Sequence, residues 1–389
     1  MKNFGLLGFS CLLMASAAVA ADFDTTASYA YLVDYDTGTV LLDKGGDELM
    51  APASMSKLMT AYIVFDKLQK GQLSLTDEFE VSENAWRKGG EKSGSSTMFL
   101  KPHSKVKLDD LLKGIIVQSG NDACITVAEN IAGSEENFAA EMTIKARELG
   151  LPKSTFKNAT GWPDKEHLMT PKELAQLTKL IIQNFPEYYP YYSIKSFKYN
   201  GINQENRNPL LYSMPDQADG VKTGHTGKSG HGLVGSAKSK DGKRRLILVV
   251  NGLKTMKDRG MEAKRIMEWG FREFDNYSLF APGQTVERIP VWMGTQKTVP
   301  VTLKDPALVT LNRLDKLNAK VTVTADGPVK APVHQGDKVA ELNILLKDGT
   351  KYSFPLIAQE NIGKIGYFGK MGLALKSLFY GTEGETDAQ

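Results

Sequence analysis

The chain is 389 residues long, enough for two or three domains and a substantial core. Its 48 basic and 45 acidic residues leave a net charge of +3, with no long run of one sign. That balance excludes the electrostatic footprint of a nucleic-acid-binding protein.

The first twenty residues, MKNFGLLGFSCLLMASAAVA, join Lys2, an apolar run and the small-residue ending Ala18-Val19-Ala20. This reads as a cleavable signal peptide, with the mature chain beginning near Ala21 outside the cytoplasm. No other segment reaches the roughly 20 apolar residues of a transmembrane helix. Cys11 lies within the signal, so Cys124 is the only mature cysteine and an intrachain disulfide is excluded. In the apolar pattern ACITVAENIA, Cys124 reads as packed rather than reactive.

ASYAYLVDYDTGTVLLDKG, residues 27–45, alternates in hydrophobicity and predicts two strands around the turn Asp36-Thr37-Gly38. After Pro52, apolar Leu58, Met59, Tyr62, Ile63 and Phe65 predict a helix with a buried face. Residues 108–150 read as mainly helical. Thr170 as cap, Pro171 at the first position and Glu173 completing a capping box predict a further helix over 170–185. Strand-like HGLVGSAKS and RRLILVVNGL then precede the helical MEAKRIMEWGFREF. The sum is an α+β domain over 25–275, an antiparallel sheet with helices packed on it.

Beyond residues 281–284 the texture changes to short alternating runs, from TVERIPVWM to KYSFPLIA, separated by turn signals such as Asp326-Gly327-Pro328 and Asp348-Gly349. They predict a small β-sandwich over 281–362. It holds no cluster of potential catalytic groups and reads as a spacer or interaction module. In the tail, NIGKIGYFGKMGLALKSLF puts Ile365, Phe368, Gly372, Leu375 and Phe379 on one helical face, with Lys370 across from it and Lys376 near its margin. An amphipathic helix within 363–389 can lie in a membrane interface or dock on the preceding domain.

Ser54 stands three residues before Lys57 in MAPASMSKLM. The Ser-x-x-Lys pattern is weak alone: it recurs at Ser104/Lys107 and Ser154/Lys157, and serine is an ordinary helix cap. Two further motifs follow in order, Ser119-Gly120-Asn121 and Lys222-Thr223-Gly224. Ser-x-Asn also fits Ser82-Glu83-Asn84, but Lys-Thr-Gly occurs once. The ordered triple is the signature set of penicillin-binding proteins and class A β-lactamases. Around the motifs, APASMSKLMTAY, QSGNDACITVAE, NATGW, NGINQENRN, DGVKTGHTGKSGHGLVGSA and MEWGFREF resemble the D-alanyl-D-alanine carboxypeptidases among the low-molecular-mass penicillin-binding proteins. The similarity covers essentially the whole mature chain.

The resemblance implies a serine β-lactamase/transpeptidase-like domain, then a small β-sandwich domain and a C-terminal amphipathic membrane-anchor helix. It implies a periplasmic enzyme, peripheral on the inner membrane, acting on peptidoglycan pentapeptide, acylated by β-lactams and needing no cofactor. Ser54 is then the nucleophile and Lys57 its base. Amide cleavage by serine needs a base, and a free lysine is protonated at neutral pH; desolvation and the approach of Lys222 would lower the Lys57 pKa. By the same resemblance Ser119 relays a proton to the leaving amine and Asn121 binds the substrate backbone. Lys222, Thr223 and Gly224 lie on a strand edge that takes the substrate carboxylate. The N–H groups of Ser54 and His225 form the oxyanion hole, and Arg207 and Arg259 supply extra cations for a free C-terminal carboxylate. His103, His167, His225, His231 and His334 show no metal-ligand spacing. Two alternatives stay open. A β-lactamase needs a deacylating glutamate, and NATGWPDKEHLMTPKELAQL offers Glu166 and Glu173 without a Glu-x-x-x-Asn pattern. A non-catalytic peptidoglycan-binding protein would retain the site for capture alone.

Overall fold

The structure, a computed structural model, describes residues 23–366. The signal-peptide expectation for 1–20 lies outside the described residues, as does all but the first few residues of the tail expectation for 363–389. Among the described residues, 23–273 form one compact unit and 274–366 a second.

The first unit is built on a five-stranded antiparallel sheet of β1 (Tyr29–Asp34), β2 (Val40–Lys44), β3 (Ala218–Thr226), β4 (Gly230–Lys238) and β5 (Arg245–Leu253), in the order β2-β1-β5-β4-β3. β5, RLILVVNGL, is buried along nearly its whole length, as a central strand covered on both faces should be. β3 is the edge strand, so one side of it has no neighbour in the sheet. Between β2 and β3 run the helices α1 (Lys57–Gln69), α2 (Asn121–Ala132), α3 (Glu135–Glu148) and α4 (Pro171–Asn184). α1 is buried from Lys57 through Phe65, which marks it as an interior helix rather than a one-faced surface helix. Its side chains share one core with Val234, Ile247 and Val249 of the sheet. α5 (Met256–Glu273) buries Ala263, Ile266 and Met267. Its Gly270 lets it approach the sheet closely, since a Cβ there would lie 2.6 Å from Leu32 Cδ2.

The Thr170 hydroxyl caps α4 by accepting the Glu173 N–H at 3.1 Å. The expected reciprocal bond of a capping box is not made. The Glu173 carboxylate instead accepts the Lys153 N–H at 2.8 Å and the Ser154 hydroxyl at 2.5 Å, tying α4 to the loop before it.

The second unit holds a six-stranded sheet and a two-stranded ribbon. The strands are β6 (Phe274–Ser278), β7 (Glu287–Trp292), β8 (Thr298–Leu303), β9 (Leu308–Asn312), β10 (Lys320–Thr324), β11 (Val329–Lys330), β12 (Lys338–Leu345) and β13 (Lys351–Ala358). The sheet runs β10-β12-β13-β8-β7-β11, and β6 pairs with β9. Val299, Val301, Leu342 and Leu356 are its core. The sequence placed Phe274 at the end of a helix; it opens strand β6, paired antiparallel with Asn312. Residues 363–366 are extended rather than helical: Lys364 bridges Gly294, and the Ile365 N–H donates to Met293 O at 3.0 Å. Any helix in the tail therefore starts later than the sequence reading placed it.

Candidate active site

Ser54 occupies the second position of a single 3₁₀ turn, Ala53–Ser56, that leads into α1. In a 3₁₀ turn the side chains at i and i+3 eclipse one another. Lys57 Nζ accordingly lies 2.8 Å from Ser54 Oγ. Neither the turn nor α1 has a side-chain cap, so the Ser54 hydroxyl is not engaged in capping. Ser56, the residue preceding α1, donates its hydroxyl to Ala53 O at 2.9 Å.

Lys57 is 1% exposed. Its Nζ also lies 2.8 Å from Asn121 Oδ1 and 2.5 Å from the Thr160 carbonyl. Burial, with the Arg207 cation adding repulsion, pushes its pKa down to about 8. The Thr160 carbonyl is aimed by Asn158, whose Oδ1 accepts the N–H groups of Thr160, Gly161 and Trp162 at 3.2, 2.8 and 3.0 Å. Gly161 has φ +81, and a Cβ there would stand 2.0 Å from Ala53 O. Only glycine lets this loop close on the nucleophile's turn.

The apolar run GIIVQ forms one π-helical turn, Gly114–Gln118, which ends in Ser119 at φ 65. Such turns concentrate at functional sites, and here the left-handed residue sits between two helical segments. Ser119 is 2% exposed and its Oγ has no hydrogen-bond partner. Asn121 begins α2, with Nδ2 donating to Ser95 Oγ at 3.0 Å. Next to it Asp122 is fully buried and binds the Thr97 hydroxyl and the N–H groups of Met98 and Leu100, at 2.6 to 3.0 Å. That carboxylate fixes the 95–100 loop against α2, and burial raises its pKa.

Lys222, Thr223 and Gly224 lie on the edge strand β3. A Cβ on Gly224 would fall 2.8 Å from Pro52 O, so glycine brings the strand under the nucleophile's turn. Lys222 is 3% exposed; burial first, then Lys57 and Arg207, hold its pKa well below the ordinary lysine range. Desolvation thus dominates at both lysines, where the sequence argument gave their mutual repulsion equal standing. The Lys222 ammonium donates to Thr223 O at 3.2 Å.

Ser54, Ser119, Arg207, Thr223, Gly224, His225 and Arg259 line one cleft of about 160 Å³. Lys57, Asn121 and Lys222 are buried next to these residues in sequence or through the hydrogen bonds above. Arg207 Nη1 donates to Ser96 Oγ at 2.6 Å, and Arg259 Nη2 to the Arg207 carbonyl at 3.3 Å. Neither guanidinium meets a carboxylate, Arg259 Nε has no partner, and burial beside Arg207 pushes Arg259 down to about 10. Two cations facing one cleft, Arg259 buried and Arg207 exposed, are an anion site. Every residue singled out from the motifs therefore converges on this cleft.

The competing Ser-x-x-Lys pairs are engaged elsewhere: Ser104 Oγ donates to Lys101 O, Ser154 to Glu173, and Lys157 pairs with Glu166 at 2.9 Å. Cys124 is fully buried, and burial pushes its thiol up to about 12. Sequence reasoning missed the roles of Asn158, Thr160, Ser95, Ser96 and Asp122. It also missed His231, which stacks on His225 with ring centroids 3.9 Å apart. NATGW carried a local signal for the first two, an asparagine able to close a turn on its own backbone.

Comparison with known proteins gives the same direction. Residues 15–255 match the family Peptidase_S11, D-alanyl-D-alanine carboxypeptidase, and residues 274–364 match the penicillin-binding protein 5 C-terminal domain. The D-alanyl-D-alanine carboxypeptidase DacC of Escherichia coli K12 is 39% identical over 342 residues, 87% of this chain and 85% of the relative. Penicillin-binding protein 5 of Haemophilus influenzae superposes with a TM-score of 0.78 at 32% identity, covering 89% of this chain and 100% of that one. Penicillin-binding protein D2 of Listeria monocytogenes, solved in the ampicillin-bound form, superposes with a TM-score of 0.55 at 27% identity, over 64% of this chain and 99% of that one. The chain is a hydrolase of the peptidase S11 family, the D-alanyl-D-alanine carboxypeptidases.

Proposed function

We propose that this protein removes the terminal D-alanine from peptidoglycan pentapeptide side chains through an acyl-enzyme on Ser54, and that β-lactams acylate the same hydroxyl. The observation that carries the reading is Lys57: an amine held down to about 8, 2.8 Å from the Ser54 hydroxyl, beside a cleft with two arginines that meet no acid. Neutral Lys57 takes the Ser54 proton as Oγ attacks the carbonyl between the two D-alanines. The N–H groups of Ser54 and His225 receive the negative oxygen. The Ser119 hydroxyl hands a proton to the departing amine as the C–N bond breaks, and Lys222 in the adjoining strand replenishes it. Thr223, Arg207 and Arg259 hold the C-terminal carboxylate, while the Asn121 amide orients the peptide. Water then hydrolyses the ester.

A β-lactamase is disfavoured by the two candidate glutamates. Glu166 is paired with Lys157, and Glu173 is spent on Lys153 and Ser154, so neither is available to activate water at Ser54. The Peptidase_S11 match and the lysine-serine pair favour turnover over mere capture. The pattern of residues 1–20 supports export to the periplasm, and the amphipathic pattern after residue 366 supports peripheral attachment to the inner membrane. No helix among the described residues is long and apolar enough to cross a membrane.

Mass spectrometry of the intact protein after penicillin treatment tests the nucleophile. A single persistent adduct is expected, absent in Ser54→Ala. The same preparations, given a peptide ending in D-Ala-D-Ala, should release D-alanine only with Ser54 intact. An adduct that survives in Ser54→Ala would move the nucleophile elsewhere.

A further inference from the structure

Strand β7 alternates between the two faces of its sheet. Ile289 and Val291 are buried in the core of the second unit, while Trp292, the last residue of the strand, is 52% exposed. The other tryptophans of the chain, Trp86, Trp162 and Trp269, are buried or half-buried. The Trp292 ring has one polar group, the indole N–H, which makes no hydrogen bond among the described residues.

Three lysines cluster around this position. Lys330, at the end of strand β11, pairs with Trp292 and holds its Nζ 6.0 Å from the ring centroid. Lys297 closes the hairpin after β7, its carbonyl accepting the Val291 N–H at 2.8 Å. Lys364 bridges Gly294 in the same turn. All three are exposed, and none forms an ion pair among the described residues. The acids nearest to Lys330 and Lys364 along the chain, Asp326 and Glu360, pair with neither.

The tail departs from this same hairpin. The Thr295 N–H donates to Gly363 O at 2.7 Å, and the Ile365 N–H to Met293 O at 3.0 Å. Phe368, on the apolar face of the tail pattern, follows Ile365 by at most about 11 Å of extended chain. A surface that takes the tail is therefore within reach of Trp292. Tryptophan concentrates at membrane interfaces because its ring is an apolar body with one donor, and lysines beside it add attraction to anionic headgroups. Gly366, Gly369 and Gly372 lower the helix propensity of the tail, which makes it a weak anchor by itself. Two weak contacts held side by side on one chain bind far more tightly than either alone.

We propose that the Trp292 hairpin, with Lys297, Lys330 and Lys364, is a second lipid contact. The ring enters the headgroup boundary of an anionic bilayer, and the three ammonium groups meet lipid phosphates. The hairpin multiplies the affinity of the tail and does not hold the protein on the surface without it. The proposal rests on the reading of the tail as a membrane attachment, and the variants below separate the two.

The test uses the chain from Ala21 onward and vesicles of phosphatidylcholine with or without phosphatidylglycerol. Bromine-labelled lipid should quench Trp292 fluorescence, and that quenching should vanish in Trp292→Phe, which keeps an aromatic ring for binding. Trp292→Ala should weaken binding to the phosphatidylglycerol vesicles about tenfold, equivalent to about 1.4 kcal/mol. The combined substitution Lys297→Gln, Lys330→Gln, Lys364→Gln should weaken it about tenfold at low salt and much less at high salt. Thermal unfolding and D-alanine release from a soluble peptide should be unchanged in both, since these side chains are exposed and outside the cleft. Unquenched Trp292 and undiminished affinity in both variants, with the unaltered chain still bound, overturn the hairpin contact and leave the tail reading standing. Failure of the unaltered chain to bind either vesicle overturns both. If Trp292→Ala instead lowers the mass of a self-associated species, or retention on peptidoglycan, while vesicle binding holds, the ring serves a second copy or a glycan strand and the lipid contact falls.

Discussion

Lys57 has three polar neighbours, and each charge state of its amine meets them differently. The Thr160 carbonyl and Asn121 Oδ1 can only accept, so they take two N–H bonds; Ser54 Oγ carries a hydroxyl hydrogen. A neutral amine has two hydrogens and one lone pair, matching two acceptors and one donor. The ammonium can donate to all three oxygens, and the neutral amine can donate to two and turn its lone pair to the Ser54 proton, so the pocket accepts both forms. Because burial depresses the pKa to about 8, the base form fills in as pH rises through that value. The second-order rate of penicillin acylation should climb about tenfold per pH unit below pH 8 and level off above it; a stopped-flow pH profile flat from 6 to 9 would remove Lys57 as base. The linkage has the same sign. Between about 8 and the ordinary lysine value of 10.5 the unfolded chain binds the extra proton, so this group's contribution to stability is present above 10.5 and is lost as the pH falls through about 8. Arg259 makes a different prediction. With Nε unpaired and a cation as its neighbour, Arg259 is held in place for an anion. Arg259→Ala should lower kcat/KM for a D-Ala-D-Ala peptide about 100-fold and narrow the gap between that peptide and its C-terminal amide. Steady-state kinetics on the matched pair check it.

At the scale of elements, the site depends on the loop over residues 158–162 closing on the 3₁₀ turn. Asn158 holds the loop shut from within, and Gly161 permits the close approach to Ala53. Asn158→Ala should reduce the acylation rate about 100-fold through misplacement of the Thr160 carbonyl, with Asn158→Asp restoring part of it; labelled penicillin gives the rates. Gly161→Ala meets both a positive φ and a blocked Cβ. It should cost at least about 2 kcal/mol, a fall in Tm of about 4–8 °C in a unit of this size, read by circular dichroism. How much of this was legible beforehand follows from the range of each interaction. Local patterns disclosed β1, β2, β4, β5 and the capped helix α4, since periodicity and capping act within a few residues. The ordered motifs disclosed Ser54, Ser119, Asn121 and Lys222. The capping box at Glu173 failed because Lys153 and Ser154, nearly twenty residues earlier, compete for its carboxylate. Phe274 was misread because pairing with Asn312, across 38 positions, outweighs its helical flank. The polar loop around Asp122 was invisible for the same reason, its partners lying over twenty residues away.

Across the whole molecule, the cleft residues and the tail pattern proposed for attachment fall on different stretches of chain. Every residue assigned to the cleft belongs to the unit ending at Glu273, while the unit from Phe274 carries its own β core. The amphipathic pattern after residue 366 puts Phe368, Leu375 and Phe379 on one face, with Lys370 opposite and Lys376 near the margin. A face of that kind partitions into the headgroup boundary, where each buried CH₂ contributes about 0.8 kcal/mol and lysines add attraction to anionic lipid. The proposed substrate side chains hang from a polymer that cannot diffuse to the enzyme, so the proposed attachment would govern access rather than chemistry. Removing residues 367–389 should therefore shift the protein from the membrane fraction to the soluble fraction. D-alanine release from a soluble peptide should stay within about twofold of the full chain, because no cleft residue is touched. Fractionation and peptide kinetics on the truncated protein make the comparison, and membrane association that persists without the tail would assign attachment to the units before it.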